Sequence, residues 1–318
     1  MNDVKQPLVS VIVCTYNQEQ WIRQTLDCIL RQNTDYPFEI VIGEDRGTDG
    51  TRTICEEYAR DFENVQLVAQ DHNLGVTANW VNCVKHSSGK YLMTCAGDDF
   101  WHNPNKIQIQ ADYMEKHPEC VACHTDIDML NVVSGQCIAS YKRNKGITIP
   151  QGRIQKEILS GKDNISAVTL CMRKSCIDKY VPLDKYVELQ FPREDWPTLL
   201  ILSAYGDIMY ISESTATYRV GQESITRTSD YEKIRQRLQK DKVMAEFLYS
   251  LFPEWGPFND GFWYDNVVYH QMMLAAYRND DYKSAHQFAK RDIYPSMATR
   301  MASTYLTYKL YRKLFMRK

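Results

Sequence analysis

The chain of 318 residues lacks a strong charge bias, because 38 basic and 40 acidic side chains leave a formal net charge of −2 at pH 7. Without excess positive charge it has no general attraction for nucleic acid, and we expect no nucleic-acid partner. A signal peptide and long apolar runs are also missing, since the polar N-terminus is followed by only a short apolar stretch, residues 8–14. We therefore expect a cytoplasmic protein.

Internal repeats and low-complexity segments are absent as well, and the hydrophobic and charged fractions, 44% and 25%, are ordinary for a globular protein. Ten cysteines are scattered through apparent strands and helices, which indicates reduced thiols in the core. The segment Cys120-Val121-Ala122-Cys123-His124 matches a haem-attachment pattern. It lies in a strand-like apolar segment, so we interpret it as structural.

Apolar, β-branched stretches alternate with helical patterns along the first third of the chain. The predicted strands are residues 8–14, 38–42, 65–69 and 90–94, and the predicted helices follow Asn17 and then cover residues 51–60, 76–86 and 105–117. This alternation predicts an α/β fold with a mostly parallel sheet covered by helices on both sides. Ligands of such sheets bind at the carboxyl ends of the strands.

Later segments are more varied. Residues 120–126, 165–172 and 208–218 are strand candidates, residues 196–205 a helix, and residues 129–161 a polar loop on the acceptor side. The pattern becomes helical beyond Thr228, and we place a domain boundary near Asp230. This gives a domain of residues 1–229 and a helical C-terminal region of residues 230–318.

The last residues, 293–318, carry basic side chains interleaved with leucines and aromatic residues and contain no acid. Two interpretations are open: a peripheral contact with the anionic inner face of a membrane, or a basic-faced helix docked on the catalytic domain by its apolar side.

The dyad Asp98-Asp99 follows a predicted strand, in the segment Thr94-Cys95-Ala96-Gly97-Asp98-Asp99-Phe100-Trp101. Adjacent carboxylates at a strand end can hold Mg²⁺ or Mn²⁺, and such a cation can neutralise a departing diphosphate. The dyad alone is weak evidence, because Gly-Asp-Asp is also a common solvated turn.

Further motifs add to the dyad: Cys14-Thr15-Tyr16-Asn17 after the first strand, the acidic turn Glu44-Asp45-Arg46-Gly47-Thr48-Asp49-Gly50-Thr51 after the second, Asn73-Leu74-Gly75, Ser88-Gly89-Lys90-Tyr91 and, about a hundred residues after the dyad, Glu194-Asp195-Trp196. Their order and spacing over about 220 residues resemble glycosyltransferase family 2, the inverting transferases of the GT-A nucleotide-diphospho-sugar fold. The resemblance implies a GT-A domain with a C-terminal helical extension.

The resemblance implies a binding site for the sugar donor and a role in it for several residues. Thr15, Tyr16 and Asn17 would line the nucleobase and ribose pocket, and Glu44 or Asp45 would accept a hydrogen bond from a pyrimidine N–H. Asn73 and Gly75 correspond to the family's Asn-x-Gly loop.

The metal motif of the family often reads Asp-x-Asp, and Ala96 stands where the first acid would fall. We therefore assign Asp99 as the first metal ligand, with Asp98 binding the ribose or a metal-bound water. The cofactor implied is Mn²⁺ or Mg²⁺.

Glu194-Asp195 resembles the family's acidic pair, in which the aspartate is the catalytic base. Asp195 would take the proton from the acceptor hydroxyl, and Glu194 would orient it or, with Asp195, open a helix. Thr217-Tyr218-Arg219 resembles a segment in which a histidine follows. Here Gly221 or Gln222 replaces that histidine, so the diphosphate contact would be missing or would come from Arg219, Gln222 or Arg227.

The resemblance implies an inverting, metal-dependent transfer of a sugar from a nucleotide-diphosphate donor, by default a UDP-sugar, to a hydroxyl of a glycan or lipid-linked acceptor of cell-surface polysaccharide. The alternative is a non-catalytic sugar-nucleotide or glycan-binding protein on the same fold. A nicotinamide oxidoreductase is disfavoured because no G-x-G-x-x-G follows a strand, and a nucleotidyltransferase because the glycine-rich Gly-Thr-Arg loop is missing.

Overall fold

A computed structural model describes residues 7–221, 228–259, 267–292 and 296–315 of the chain. The chain divides into two compact units, Met1–Gln222 and Glu223–Lys318. This division falls a few residues before the boundary near Asp230 that we expected. None of the helices in the described ranges is both long and apolar enough to cross a bilayer.

The first unit is built on a mixed sheet. Its strands are β1 (Val9–Thr15), β2 (Phe38–Glu44), β3 (Val65–Ala69), β4 (Tyr91–Thr94), β5 (Cys120–Asn131), β6 (Cys137–Ile138), β7 (Cys171–Arg173) and β8 (Asp207–Val220). They lie in the order β3-β2-β1-β4-β7-β5-β6, and β8 pairs with β5. The first four are parallel, β7 is antiparallel to its neighbours β4 and β5, and β5 and β8 are parallel.

Helices connect and cover these strands. They are α1 (Glu19–Leu30), α2 (Thr51–Asp61), α3 (Val76–His86), α4 (Lys106–Lys116), α5 (Tyr141–Asn144), α6 (Gln155–Leu159), α7 (Lys174–Tyr180), α8 (Leu183–Glu188) and α9 (Asp195–Leu202). Helix α1 buries Ile22, Leu26 and Ile29 at helical spacing, and β1 contributes Val9, Val11 and Val13 to the same core. Each such side chain stabilises the fold by about 1.5–3 kcal/mol. The α/β fold with a mostly parallel sheet is confirmed.

One predicted strand is wrong. Within residues 165–172 the chain forms a 3-10 turn, Ala167–Thr169, and only then the short strand β7. The carbonyls of this turn accept hydrogen bonds from side chains rather than from a neighbouring strand: Thr94 Oγ1 donates to Ala167 (2.6 Å) and Trp101 Nε1 to Val168 (3.2 Å). An apolar run predicts burial, and it cannot distinguish a strand from a buried turn.

The second unit is helical where it is described. Its helices are α10 (Tyr231–Leu251), α11 (Tyr269–Arg278), α12 (Tyr282–Ala289), α13 (Met297–Met301) and α14 (Tyr305–Phe315). Asp230 caps α10 by accepting hydrogen bonds from the backbone N–H groups of Glu232 (2.9 Å) and Lys233 (3.2 Å). Small residues allow the last helices to approach closely around Tyr277 and Tyr308, whose rings stack at 4.6 Å.

Candidate active site

The carboxyl ends of β1, β2 and β4 meet at one edge of the sheet, because these strands are parallel neighbours. The Asp45 N–H donates to the Thr15 carbonyl (3.1 Å), and the Gly97 N–H donates to the Cys14 carbonyl (3.0 Å). The structure therefore brings together three of the predicted segments: Thr15 to Asn17, the Glu44-Asp45 pair and the Asp98-Asp99 loop.

The last residue of β1 and the two residues after it lie along this edge. Thr15 is buried, and its hydroxyl donates to Gln18 Oε1 (2.8 Å), whereas the Tyr16 ring is 45% exposed. Asn17 adopts a left-handed backbone conformation (φ 53°) and accepts a hydrogen bond from the Thr48 N–H (2.7 Å). An exposed aromatic ring beside fixed polar groups can stack on a flat ring such as a nucleobase.

Glu44 and Asp45 are both buried, and each organises a different loop. Glu44 accepts hydrogen bonds from the Gly47 N–H (2.6 Å) and from Arg52 Nε (2.6 Å). Its two oxygens thus hold the acidic turn and pair with an arginine.

Asp45 accepts hydrogen bonds from the backbone N–H groups of Leu74 (2.7 Å) and Gly75 (2.9 Å), and Asn73 Nδ2 donates to the Asp45 carbonyl (3.2 Å). Gly75 has φ +83°, which favours glycine, and its N–H is placed to meet the carboxylate. Burial raises the pKa of Asp45, while these N–H groups act in the opposite direction. The predicted residues Asn73 and Gly75 therefore contact Asp45 directly.

In the Asp98-Asp99 loop, Asp99 is buried and Asp98 is partly exposed. Asp99 Oδ1 accepts a hydrogen bond from the Arg219 backbone N–H of β8 (2.9 Å). Burial, and then the neighbouring charge of Asp98, raise the pKa of Asp99 well above its usual range. A divalent cation would relieve this cost, because it favours the ionised carboxylates.

Among the residues that the structure describes, no group of three or more His, Cys, Asp or Glu side chains could hold a metal ion. The donor set that remains consists of the hard oxygens of Asp98 and Asp99, which suit Mg²⁺ or Mn²⁺ when substrate phosphates and water supply the other ligands. The donor chemistry thus fits the expected cation.

Arg219 lies in a more enclosed position than a simple diphosphate contact requires. Its guanidinium packs between the rings of Trp21 (4.4 Å) and Phe100 (4.6 Å) and donates hydrogen bonds to the Asp98 carbonyl and to Gln24 Oε1. The arginine therefore connects α1 and β8 to the Asp98-Asp99 loop, which we call the carboxylate loop. The other predicted diphosphate candidates, Gln222 and Arg227, lie outside the described residues.

Glu194 and Asp195 stand at the start of α9, where Asp195 Oδ1 accepts a hydrogen bond from the Trp196 N–H (2.7 Å). Burial and the Asp195 charge raise the pKa of Glu194. Both carboxyls border a cavity of about 10 Å³ together with Thr94, the last residue of β4. The predicted acidic pair therefore lies at the same edge of the sheet. A larger surface depression of about 340 Å³ is lined by residues 181–185 with Lys85 and Asp178 and contains none of these groups.

Sequence reasoning missed Trp21, Gln24 and Thr25 of α1. Thr25 Oγ1 lies within hydrogen-bond distance of the carbonyls of Gly97 (3.0 Å) and Asp99 (2.6 Å), so it links α1 to the backbone of the carboxylate loop. The helical spacing of three and four residues placed these side chains on one face, and that was the available signal. The spacing alone did not indicate a function, because the residues that Thr25 contacts lie more than 70 positions away in the sequence.

The comparisons with known proteins agree with this geometry. The model of the family described as glycosyl transferase family 2 matches residues 10–173, slightly more than half of the chain. A Mycobacterium tuberculosis protein of uncharacterised function is 37% identical over 116 residues, which cover 36% of this chain and 34% of that protein. This match spans only about a third of the mycobacterial relative. TuaG of Bacillus subtilis, named as a candidate glycosyltransferase of teichuronic acid biosynthesis, is 25% identical over 226 residues, 70% of this chain and 82% of TuaG.

Solved structures show the same fold. Residues 1–349 of S. aureus TarS in complex with UDP superpose with a TM-score of 0.50 at 21% identity, covering 96% of this chain and 89% of that one. The mannosyltransferase PcManGT of Pyrobaculum calidifontis, in complex with GDP-Man and Mn²⁺, gives 0.52 at 15% identity and covers 98% and 79%. The first unit has the GT-A fold, with additional helices at the C-terminus. The chain belongs to glycosyl transferase family 2.

Proposed function

We propose that the protein is an inverting, metal-assisted glycosyltransferase that moves a sugar from a nucleotide-diphosphate donor to a hydroxyl of a cell-surface glycan or its lipid-linked precursor. The observation that carries this proposal is the meeting of two carboxylate pairs, Asp98-Asp99 and Glu194-Asp195, at the carboxyl edge of one sheet. One pair suits the leaving diphosphate, and the other suits the attacking hydroxyl. The names of relatives such as TuaG support a role in surface polysaccharide.

Each pair has a distinct chemical task. Asp195 takes the proton from the acceptor hydroxyl as its oxygen attacks the anomeric carbon, and the orientation of its carboxylate is fixed by the Trp196 N–H. Burial and the neighbouring Asp195 charge raise the pKa of Glu194, so Glu194 would hold a proton over more of the neutral range beside the proposed base. Asp98 and Asp99 would hold Mg²⁺ or Mn²⁺, which neutralises the charge of the departing nucleoside diphosphate. Attack from the opposite face gives inversion without a covalent intermediate.

A UDP-sugar is the proposed donor. Each carboxylate oxygen of Glu44 and Asp45 already accepts one hydrogen bond within the protein and can accept a second, and uracil offers an N–H donor. TarS is solved with UDP and with UDP-GlcNAc, whereas PcManGT is solved with GDP-Man, so the test must compare bases.

The first experiment is a thermal-shift titration with UDP, GDP, dTDP and CMP, each with and without Mn²⁺, on the wild type, Asp98→Ala and Asp99→Asn. We expect stabilisation by UDP that requires Mn²⁺ and is lost in both variants. The matched control is Asp61→Ala, an exposed aspartate paired with Arg60, which should respond to UDP like the wild type. A response to another nucleotide would change the donor, and no response to any of them would refute the donor site.

The second experiment separates an enzyme from the non-catalytic binder. Asp195→Asn should bind UDP and Mn²⁺ like the wild type and should lose at least about a hundredfold in donor hydrolysis or transfer, the usual contribution of a general base. If the wild type binds UDP but shows no turnover with donor sugars over a broad acceptor panel, the binder replaces the transferase.

We also propose a cytoplasmic location with a peripheral contact to the inner face of the membrane. All ten cysteines are free thiols, as expected in a reducing compartment. On α14, Leu306, Leu310 and Leu314 are spaced four apart and are 80%, 48% and 60% exposed, whereas Tyr308 on the other face is buried. Exposed Lys313 lies beside the leucines. Because no acid occurs in residues 293–318, an anionic lipid surface suits this face better than a second copy of it.

Vesicle sedimentation tests this contact. The protein should bind vesicles containing phosphatidylglycerol and not pure phosphatidylcholine, and Leu310→Glu should weaken binding about tenfold or more, because it removes one buried leucine and adds a negative charge. Thr304→Glu, at an exposed polar position beside α14, is the matched control for charge. Concentration-dependent dimers that Leu310→Glu abolishes, without vesicle binding, would contradict the membrane contact.

A further inference from the structure

The indole of Trp80 on α3 is 2% exposed, and its Nε1–H is buried without a hydrogen-bond partner in the part of the chain that the structure describes. A buried donor of this kind costs about 1–3 kcal/mol if it stays unpaired, and most buried polar groups in proteins are satisfied. The other buried indole near the carboxylate loop, Trp101, follows that rule, since its Nε1 donates to the Val168 carbonyl (3.2 Å). Trp80 therefore requires an explanation.

The Trp80 indole borders the small cavity at the acidic pair. A cavity of about 10 Å³ accommodates about one water molecule. Its polar lining residues are Trp80, Thr94, Glu194, Asp195 and Thr198, and apolar side chains complete the wall. Polar and apolar walls thus enclose a space the size of one water next to two carboxyls.

The polar groups around this cavity are complementary to a water. The Thr94 hydroxyl already donates to the Ala167 carbonyl (2.6 Å), and Thr198 Oγ1 is paired with the Tyr186 hydroxyl (3.3 Å). The indole N–H has no partner among the described residues, and the carboxyls of Glu194 and Asp195 have oxygens that can accept hydrogen bonds. A water can accept one bond from the indole and donate two, which gives the three bonds typical of buried waters.

We propose that one ordered water in this cavity joins Trp80 Nε1–H to the Glu194-Asp195 pair, and that Trp80 is a positioning residue for the catalytic base. The proposal rests on the proposed function for its kinetic consequences, and on the geometry alone for the water bridge. In this proposal Trp80 does not contact the donor or the acceptor. It acts by holding the water that holds the carboxyls.

Other ionisable groups face the acidic pair and must be separated from its titration. Cys14 of β1 and Tyr186 of α8 have raised pKa values because of burial, with side-chain hydrogen bonding to Cys83 as the largest cause at Cys14, so both are neutral in the acidic range. Asp163, whose pKa is raised chiefly by burial, is also influenced by Asp195 and could titrate in the same range.

The kinetic test compares Trp80→Phe with Trp101→Phe, which removes an indole whose N–H is bound to a carbonyl. Trp80→Phe should lower kcat about three- to tenfold and move the acidic limb of the kcat profile upward by about half a pH unit, because the ionised pair loses a hydrogen-bond donor. The KM for the donor should not change. Trp101→Phe should lower stability and leave the acidic limb in place. Asp163→Asn in both backgrounds shows whether Asp163 contributes to that limb.

A second measurement does not require turnover. In ¹⁵N-indole NMR spectra, the resonance that Trp80→Phe removes should shift with pH as the acidic pair titrates, and Glu194→Gln should abolish or displace that titration. The Trp101 resonance should not follow it. An indole that does not titrate, together with an unchanged kcat profile in Trp80→Phe, would overturn the proposal. A titrating indole in a protein without turnover would refute the proposed function and leave the water bridge intact.

Discussion

Replacing Arg219 by methionine tests whether this residue fixes the carboxylate loop or contacts the donor directly. Methionine keeps the apolar packing against Trp21 and Phe100 but removes the donors that reach the Asp98 carbonyl and Gln24 Oε1. Two acceptors are then left without the arginine at the edge of the proposed donor site.

The expected change in the free energy of unfolding for Arg219→Met is the balance of the interactions lost and the desolvation cost removed. Hydrogen bonds from a charged group contribute about 1.5–3 kcal/mol each, and cation–π contacts about 0.5–2 kcal/mol each. Against this, burial lowers the pKa of Arg219, which shows that the buried guanidinium carries a desolvation cost that methionine does not. We expect Arg219→Met to lower the free energy of unfolding by about 2–4 kcal/mol and to weaken Mn²⁺-dependent UDP binding as well.

Urea unfolding and calorimetric titration with UDP measure the two effects in the same variants. Arg219→Lys should be intermediate, because a single ammonium cannot reach both acceptors in the fork geometry of a guanidinium. Arg153→Met is the matched control, since Arg153 is exposed and pairs with Asp207 at 3.1 Å, and it should cost less than about 1 kcal/mol. If Arg219→Met loses UDP binding at wild-type stability, the idea that Arg219 acts by fixing the Asp98-Asp99 loop is refuted. That result would favour a direct contact between Arg219 and the diphosphate.

Three further changes probe the core and the loop. Lys106 is fully buried, and burial lowers its pKa to about 8 from 10.5, so the unfolded chain holds a proton that the folded one has lost between these values. The unfolding free energy of the wild type should therefore rise by about 3 kcal/mol relative to Lys106→Met between pH 8 and 10.5 in chemical denaturation, and parallel curves would contradict this. Thr25→Val should cost about 1–2 kcal/mol and raise the KM for the donor, whereas Thr25→Ser should restore both, and an unchanged KM would remove Thr25 from the loop's support. Gly97→Ala would place its Cβ 2.6 Å from Thr15 Oγ1, so UDP binding should fall in the thermal-shift assay, and normal binding would show that the loop has room to move.

The sequence predicted the parts of the fold that depend on local pattern. The strand at residues 65–69 and the helix at residues 76–86 match β3 and α3, because buried strands and amphipathic helices have clear periodicities. The helices α7 and α8 were missed, since they are short and lie between segments without a strong pattern. Parallel order then places the strand ends together, so the meeting of Thr15, Asp45 and Asp99 could be expected before any coordinates.

The roles of individual side chains were harder to predict from the sequence. The position of Arg219 between two aromatic rings depends on where β8 lies relative to α1, and no local pattern fixes that distance. The same holds for the indole of Trp80, because its environment is made by the start of α9, more than a hundred positions later. Motif resemblance predicts which residues belong to the site, while the burial and contacts of each side chain indicate the role that we propose for it.

The bond between Asp99 Oδ1 and the Arg219 N–H joins positions 120 apart in the sequence. Closing so long a segment is slow, because its entropy must be lost before the contact forms. During synthesis the carboxylate loop leaves the ribosome long before the strand that completes it. If the proposed function holds, the chain acquires nucleotide affinity only after β8 has emerged and joined the sheet. Refolding monitored by nucleotide binding should lag behind refolding monitored by the early strands, and a donor nucleotide would stabilise finished molecules rather than assist nascent ones.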